Sequence, residues 1–317
     1  MTEVCEVTAP AGTRVLEVRE AGAAADGVLS LTLTDPSGAP LPPWTPGAHV
    51  DLHVAPGLVR QYSLCSDPED TGHYRIAVLR VPDGRGGSAA VHETLRAGSR
   101  VAVSAPRNHF ELVDAPEYVL VAGGIGITPL LAMAHRLTAS GKPWRMLYGG
   151  RSRTTMAFLG ELPPDRVTVV PQDEAGHPDL AGYLAATPGA TVYACGPGGL
   201  LDAVRELHPG PVHTERFTAP DPARSPDGDH AFDVRLARSG IDVHVPADTS
   251  VLDAVRAAGA ETPSSCEAGI CGTCETAVLD GFPDHRDTLL TPQEQEAGAT
   301  MLICVSRCRG ARLVLDL

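Results

Sequence analysis

The tightest constraint on this 317-residue chain is a run of cysteines near its end: Cys266, four residues, Cys271, two residues, Cys274, and then Cys304 after 29 more. Thiolates so spaced converge only if the backbone between them curls tightly. Gly269 and Gly272 lie inside the run, where a Cβ would crowd the enclosed volume or forbid a positive φ. This is a spacing that holds a 2Fe-2S cluster, in which two irons share the thiolates and nearby amides donate to sulfur. A zinc knuckle or a pair of disulfides would draw on the same residue type. Zinc sites present two matched Cys-x2–4-Cys hooks, and the second hook is missing here. Of eight cysteines, five (Cys266, Cys271, Cys274, Cys304 and Cys308) crowd one end, an uneven spread that favours metal over a disulfide framework. Cys5, Cys65 and Cys195 read as small buried hydrophobes.

The rest of the chain changes style twice. Residues 1–107 carry short alternating runs at 14–20, 28–34, 49–54, 59–64, 74–81 and 100–103 between Gly and Pro turns, with one helical candidate at 88–95. That pattern predicts a small antiparallel barrel or sandwich. In residues 108–217, apolar runs at 118–122, 146–148, 167–170, 191–194 and 212–215 alternate with helical patterns at 129–140, 157–162, 179–186 and 200–207. Strands and helices so interleaved predict parallel βαβ units. Residues 218–229, rich in Pro and Asp, cannot bury a core and read as a linker. Residues 230–317 open with a hairpin pattern at 232–236 and 241–245 and a helix at 251–258, capped by Thr249 or Ser250, before the cysteines. The expectation is a multidomain protein: an antiparallel β-barrel, an α/β parallel-sheet domain and an α+β domain of the β-grasp type.

Charge and hydropathy exclude some functions. Formal net charge is −14, Lys142 is the one lysine, and the arginines form no run longer than short stretches such as Arg151-Ser152-Arg153, so a nucleic-acid partner is not expected. No apolar run approaches the roughly 18–20 residues that span a bilayer, and the opening MTEVCEVTAP offers neither a basic start nor an apolar stretch. A soluble, cytoplasmic monomer without membrane contact is expected.

Two glycine-rich segments end predicted strands of the α/β region. In the first, Gly123-Gly124-Ile125-Gly126-Ile127-Thr128-Pro129, amides and a helix start suit a pyrophosphate, with Pro129 expected at the first helical position. The second, Cys195-Gly196-Pro197-Gly198, ends a later strand on the same sheet edge, so both should face one crevice. Gly124, Gly126, Thr128, Pro129, Gly196 and Pro197 are therefore candidate nucleotide contacts. In the barrel region, Arg60-Gln61-Tyr62-Ser63 combines a phosphate fork, a stacking ring and a hydroxyl. Gly87 and Ser88, at the start of the one helix, are further candidates for the same anion, as is Arg80.

In this order, the motifs resemble the phthalate dioxygenase reductase-like branch of the ferredoxin–NADP reductase superfamily. The last ~85 residues, with Ser264-Ser265-Cys266-Glu267-Ala268-Gly269-Ile270-Cys271-Gly272-Thr273-Cys274, resemble a plant-type ferredoxin. The resemblance implies FMN rather than FAD on Arg60, Tyr62 and Ser63, with Ser63 bonding flavin N5. It places Cys195 beside the nicotinamide and Phe217 against the flavin ring, so Ser63, Cys195 and Phe217 are the catalytic candidates. It selects Cys304 over Cys308 as fourth ligand beside Cys266, Cys271 and Cys274. The implied activity passes electrons from NADH to FMN to the 2Fe-2S cluster to a terminal oxygenase, either a Rieske-type oxygenase or demethylase or a cytochrome P450. A flavin must intervene because a hydride delivers two electrons and a cluster takes one. Arg151 and Arg153 leave NADPH open. The ferredoxin-like segment has 13 Asp/Glu against 7 Arg, an acidic surface suited either to a basic oxygenase patch or simply to solubility. Two other functions fit the same motifs: a redox-sensing flavo-iron–sulfur interaction protein without steady turnover, and an enzyme acting on a small organic substrate at the flavin.

Overall fold

The computed structural model describes residues 10, 12–55, 57–82, 84, 86–218 and 229–317. Cys5, Arg85 and residues 219–228 of the expected linker lie outside the described residues. The chain forms two compact units, Met1–Phe217 and Thr218–Leu317.

The first unit begins with β1 (Thr13–Ala25), β2 (Val28–Thr34), β3 (Ala48–Ala55), β4 (Leu58–Ser63) and β5 (Tyr74–Leu79). Helix α1 (Gly87–Thr94) follows, then β6 (Arg100–Ser104) and β7 (Arg107–Asn108). Every pairing is antiparallel, in the order β4-β3-β6-β1-β2-β5, with β7 on β3. The sheet curls into a barrel: just past β4, the Cys65 amide donates to the Arg75 carbonyl of β5 at 2.8 Å. Alternation explains the curl, because Leu16, Val18, Leu31, Leu33, Val50, Leu52 and Ile76 point into one core. The run at 14–20 was expected to be short, whereas β1 continues to Ala25 through small residues and two register shifts.

The second lobe of this unit holds β8 (Tyr118–Gly123), α2 (Ile127–Ala139), β9 (Trp144–Gly150), β10 (Val167–Pro171), α3 (Gln172–Ala175), α4 (Leu180–Ala185), β11 (Thr191–Cys195), α5 (Gly198–Leu207) and β12 (Val212–Glu215). All five strands are parallel in the order β10-β9-β8-β11-β12, so the strand order reverses between β8 and β11. Ligands of open α/β sheets bind at the carboxyl ends of strands flanking such a reversal. A shared core joins the lobes: Val28, Cys65 and Ala77 of the barrel lie in one cluster with Leu130, Leu131, Met133 and Tyr148.

Two expectations for this lobe need correction. Residues 157–162 do not form a helix. They hold a single 3-10 turn at Leu159–Glu161, after Phe158 has entered the left-handed region at φ 64°, which no helix continues through. Pro129 is the third helical residue of α2, not the first, since a 3-10 turn at Gly124–Gly126 takes up the start. The position still suits proline, because amides of the first turn lack intrahelical acceptors.

The second unit contains β13 (Phe232–Leu236), β14 (Ile241–Val245), α6 (Val251–Ala257), β15 (Glu275–Asp280), β16 (Pro283–Asp284), α7 (Pro292–Ala297), β17 (Thr300–Leu302), β18 (Arg307–Cys308) and β19 (Arg312–Leu315). Its mixed sheet runs β14-β13-β19-β15-β17, and α6 packs Val251, Leu252 and Val255 onto it in a β-grasp arrangement. Ser250 caps α6, its hydroxyl accepting from the Asp253 amide at 3.0 Å. Asp229, the last residue of the expected linker, is held at 2.6 Å by Arg286. Among the described residues, no helix is long and apolar enough to cross a membrane.

Candidate functional site

The two glycine-rich strand ends meet backbone to backbone. A Cβ on Gly126 would lie 2.1 Å from the Cys195 carbonyl oxygen and 2.8 Å from the Gly196 nitrogen. One on Gly196 would lie 2.9 Å from the Gly123 Cα, and one on Gly123 would lie 2.7 Å from the Pro197 ring. Glycine is thus a packing requirement at the point where the strand order reverses. Gly124 adopts φ 55° at the head of the turn. Thr128 is buried with its hydroxyl donated to the Ile125 carbonyl at 3.0 Å, so it closes the turn rather than facing the crevice.

Ser63, at the end of β4, comes to the same place from the barrel. Its hydroxyl bonds the Glu215 carboxyl at the end of β12, and the Cys195 thiol lies 4.0 Å from that carboxyl. Burial pushes Glu215 up to about 8, with the Ser63 hydrogen bond pulling the other way. Burial also raises Cys195, and Glu215 adds to the effect. At neutral pH this crevice therefore presents a thiol and an uncharged acid beside a serine. Glu215 is not among the site residues expected from the sequence, where it only closes the apolar run at 212–215. The available signal was a carboxylate ending a strand of the ligand edge. Phe217 is 42% exposed.

On the barrel, Arg60 lies across the start of α1. A Cβ on Gly87 would fall 2.4 Å from the Arg60 side chain, so glycine lets the guanidinium reach the first turn of the helix. A phosphate needs such a place, with a cation and helix amides converging on a cradle that a Cβ would fill. The Ser88 hydroxyl accepts from the Val81 amide at 3.0 Å, which leaves its proton to donate. Tyr62 is half-buried against the barrel core, and burial raises it to about 12. Arg80 pairs with Glu93 of α1 at 2.9 Å, both side chains exposed. These residues fit a flavin monophosphate.

In the second unit the four expected thiols contact one another. Cys271 is hydrogen-bonded to Cys266, which together with burial raises it well above the usual thiol range. A hydrogen bond from Cys266 lowers Cys304, but Cys274 and burial outweigh it and bring it to about 12. The Ala268 amide donates to the Cys266 sulfur at 3.3 Å, and the Gly269 amide donates to Cys304. Gly269 sits at φ 71°, where a Cβ would strike Val305 at 2.7 Å. Arg256 buttresses the loop by pairing with Glu267 at 2.9 Å. A 2Fe-2S cluster takes two thiolates on each of its two irons, the number these four cysteines supply. Thiols that contact one another and receive amide protons fit a cationic cluster, which would ionise them. Cys308 stands apart, its sulfur bonded to the Gly310 amide at 3.2 Å and the Arg312 carbonyl at 3.4 Å.

Two stability tests follow from this geometry. Gly126→Ala should cost about 1–3 kcal/mol, the scale of overpacking, read as a lower denaturant midpoint. Because folded Glu215 keeps its proton up to about 8 while the unfolded chain releases it near 4.5, folding stability should fall as pH rises between those values. The slope is about 1.4 kcal/mol per pH unit, and Glu215→Gln should remove it in urea melts at pH 6 and pH 8.

Residues 234–309 match the family described as the 2Fe-2S iron-sulfur cluster binding domain. The chain is 46% identical over 303 residues to the phenoxybenzoate dioxygenase subunit beta of Ectopseudomonas oleovorans, covering 92% of this chain and 94% of that one. It is 43% identical over 304 residues to the phthalate dioxygenase reductase of Burkholderia cepacia, covering 92% and 93%. Among solved structures, an intact type IV self-sufficient cytochrome P450 monooxygenase matches 96% of this chain over 41% of its own greater length, with TM-score 0.86 and 46% identity. A phthalate dioxygenase reductase, described as a modular structure for electron transfer from pyridine nucleotides to 2Fe-2S, matches 96% of this chain over 98% of its own, with TM-score 0.73 and 40% identity. Barrel, parallel sheet and ferredoxin-like unit thus occur together in the same order in a known reductase, and the chain belongs to the phthalate dioxygenase reductase family of electron-transfer oxidoreductases.

Proposed function

We propose that this chain transfers electrons from NADH through FMN and a 2Fe-2S cluster to a terminal oxygenase, of the Rieske type or a cytochrome P450. The observation that carries the reading is that one polypeptide holds three sites of complementary chemistry: the Arg60–Gly87 cradle, the Gly126–Cys195 crevice and the four mutually bonded thiols. Residues 1–107 would carry the flavin, 108–217 the nicotinamide nucleotide and 230–317 the cluster, with 218–229 as connector. When bound, FMN takes up an electron pair as hydride and releases it singly, and the cluster carries one electron at a time.

The chain's own residues bind and orient. Arg60, Gly87 and Ser88 would hold the phosphate, and Tyr62 would offer its ring to the isoalloxazine with Phe217 as the aromatic on the nucleotide side. The glycine turn and the first turn of α2, through Gly124, Gly126, Thr128 and Pro129, shape the pyrophosphate site, while Gly196 and Pro197 bring the backbone up to the nicotinamide. Ser63 and Cys195 border the reacting atoms. With Glu215 protonated at neutral pH, no carboxylate charge opposes NADH there. Cys266, Cys271, Cys274 and Cys304 would ligate the cluster. Names of the relatives, all components of oxygenase systems, favour turnover over a sensing role. We propose a soluble cytoplasmic monomer, which size-exclusion chromatography with light scattering would check.

The choice of NADH rests on the carboxyl end of β9. In nucleotide-binding α/β folds the ribose 2′-position is read just beyond the end of the strand that follows the glycine turn and its helix, by a carboxylate for NADH or an arginine for NADPH. Arg153 stands at that place, held in a fork by Glu174, with Nε at 3.1 Å and 3.3 Å and Nη2 at 3.1 Å from the carboxylate oxygens. Glu174 thus neutralises the one guanidinium of the pair fixed by a carboxylate and would repel a 2′-phosphate.

The purified holoprotein should show both flavin and iron–sulfur absorption and should reduce cytochrome c with NADH. A protein that holds neither group after anaerobic reconstitution sinks the proposal. Cys271→Ser should abolish acceptor reduction and lower iron content, while stopped-flow reduction of the flavin by NADH persists. Glu174→Gln should raise the ratio of kcat/KM for NADPH to that for NADH by about tenfold, equivalent to about 1.4 kcal/mol.

A further inference from the structure

The two lobes of the first unit are tied by one side chain that no motif singles out. Arg75, on β5, reaches across to the nucleotide lobe and grips Glu161 in a fork, Nη1 at 3.0 Å from Oε1 and Nη2 at 2.8 Å from Oε2. The same Nη2 donates to the Cys65 carbonyl at 2.9 Å, two residues beyond Ser63. The guanidinium also lies 4.9 Å from the Phe158 ring centroid. Within the barrel the backbone repeats the Arg75–Cys65 contact, since the Cys65 amide donates to the Arg75 carbonyl at 2.8 Å.

The other end of the grip is conformationally costly. Phe158 is a buried aromatic held at φ 64°, and it is one of two non-glycine residues at positive φ among those described. Such a conformation costs about 1–3 kcal/mol and persists where surroundings over-determine it. Here it turns the chain leaving β9 so that the Leu159–Glu161 turn faces the barrel, with the Glu161 amide donating to the Phe158 carbonyl at 3.0 Å. Arg75 is 21% exposed and Glu161 40%, so the pair is partly shielded from water and keeps more of its directional strength than a fully exposed one. A second bridge between the lobes, Arg136 to Glu69 at 2.8 Å, lies on outer surfaces with exposures of 42% and 64%.

We propose that Arg75 is a positioning residue for hydride transfer: by holding the Cys65 carbonyl and the Glu161 carboxylate at once, it fixes the register between the strand end that carries Ser63 and the strand ends that carry Gly126 and Cys195. The inference rests on the reductase reading. In that reaction one hydride, a proton with two electrons, leaves C4 of NADH, giving NAD+, and arrives at flavin N5. Its rate depends steeply on the approach of two partners that belong to different lobes, and a misplacement of about 1 Å can cost about a hundredfold. Lysine cannot substitute, because it lacks the planar fork that reaches carbonyl and carboxylate together.

The test is anaerobic single-turnover reduction of the flavin in the holoprotein over a range of NADH concentrations, which separates the limiting rate constant from Kd. Arg75→Lys and Glu161→Ala should each lower the limiting rate about tenfold or more while Kd for NADH stays within about twofold and flavin content is unchanged. C4-deuterated NADH should slow the limiting step in every form. The double variant should be no slower than the slower single, since both remove one grip. If Glu161→Ala fails to retain flavin, Glu161→Gln replaces it; this variant keeps the shape but loses the charge, and a smaller drop in limiting rate at unchanged Kd is expected. A limiting rate equal to wild type, an effect confined to Kd, or single effects that multiply in the double variant would overturn the proposal. Absence of flavin reduction by NADH in the wild-type holoprotein would instead overturn the reductase reading.

Discussion

The site depends on one close approach. The backbone of Gly126 passes so near the Cys195 carbonyl that no side chain fits between them. Strands β8 and β11 are neighbours in a parallel sheet whose order reverses between them, so their connecting segments leave in opposite senses and open a crevice at their carboxyl ends. The two glycine-rich turns floor that crevice because their backbones touch. Ser63 reaches the same crevice because barrel and nucleotide lobe share a core that includes Cys65, Ala77 and Leu130, which leaves its hydroxyl on Glu215.

Burial raises acids in both units, with different consequences. In the crevice it keeps Glu215 and Cys195 uncharged near neutrality, in a chain whose formal net charge of −14 would otherwise oppose an anionic nucleotide. In the ferredoxin-like unit, thiols bonded to one another resist ionisation until a cation arrives. The amides of Ala268 and Gly269 are already turned toward sulfur, so the loop holds donors suited to thiolates. One site is shaped to avoid charge and the other to receive it.

Much of this was legible in the amino-acid order. Alternation located the barrel strands, apolar runs located the parallel strands, and the cysteine spacing with Gly269 located the thiol loop, because each is a local pattern with a fixed period or spacing. What escaped was non-local. Arg75 reads as one polar residue in an alternating strand, and its partner is 86 positions away. Glu215 becomes an uncharged acid only through burial among segments from both lobes. The stretch 157–162 looks helical by composition, yet Phe158 adopts a backbone conformation that local propensity disfavours. Glu174 reaches Arg153 through the short helix α3, which composition alone does not announce. In the ferredoxin-like unit, Thr291 and Glu294 form a capping box that marks the start of α7, a signal carried by four consecutive residues.

The division into two units follows from what each electron step requires. A hydride moves only between partners held near contact, about 3–3.5 Å apart and correctly aligned, so the lobes that would carry flavin and nucleotide must keep a fixed register. They share a hydrophobic core, a backbone hydrogen bond from Asp26 to Thr154 at 2.8 Å, and the Arg75 fork. A single electron needs no such contact, and a cluster domain must also serve an acceptor outside the chain. The thiol loop accordingly sits in a unit with its own core, which includes Val234, Val255 and Leu313. A shared core thus serves the step that moves an atom, and a unit with its own core serves the steps that move electrons alone.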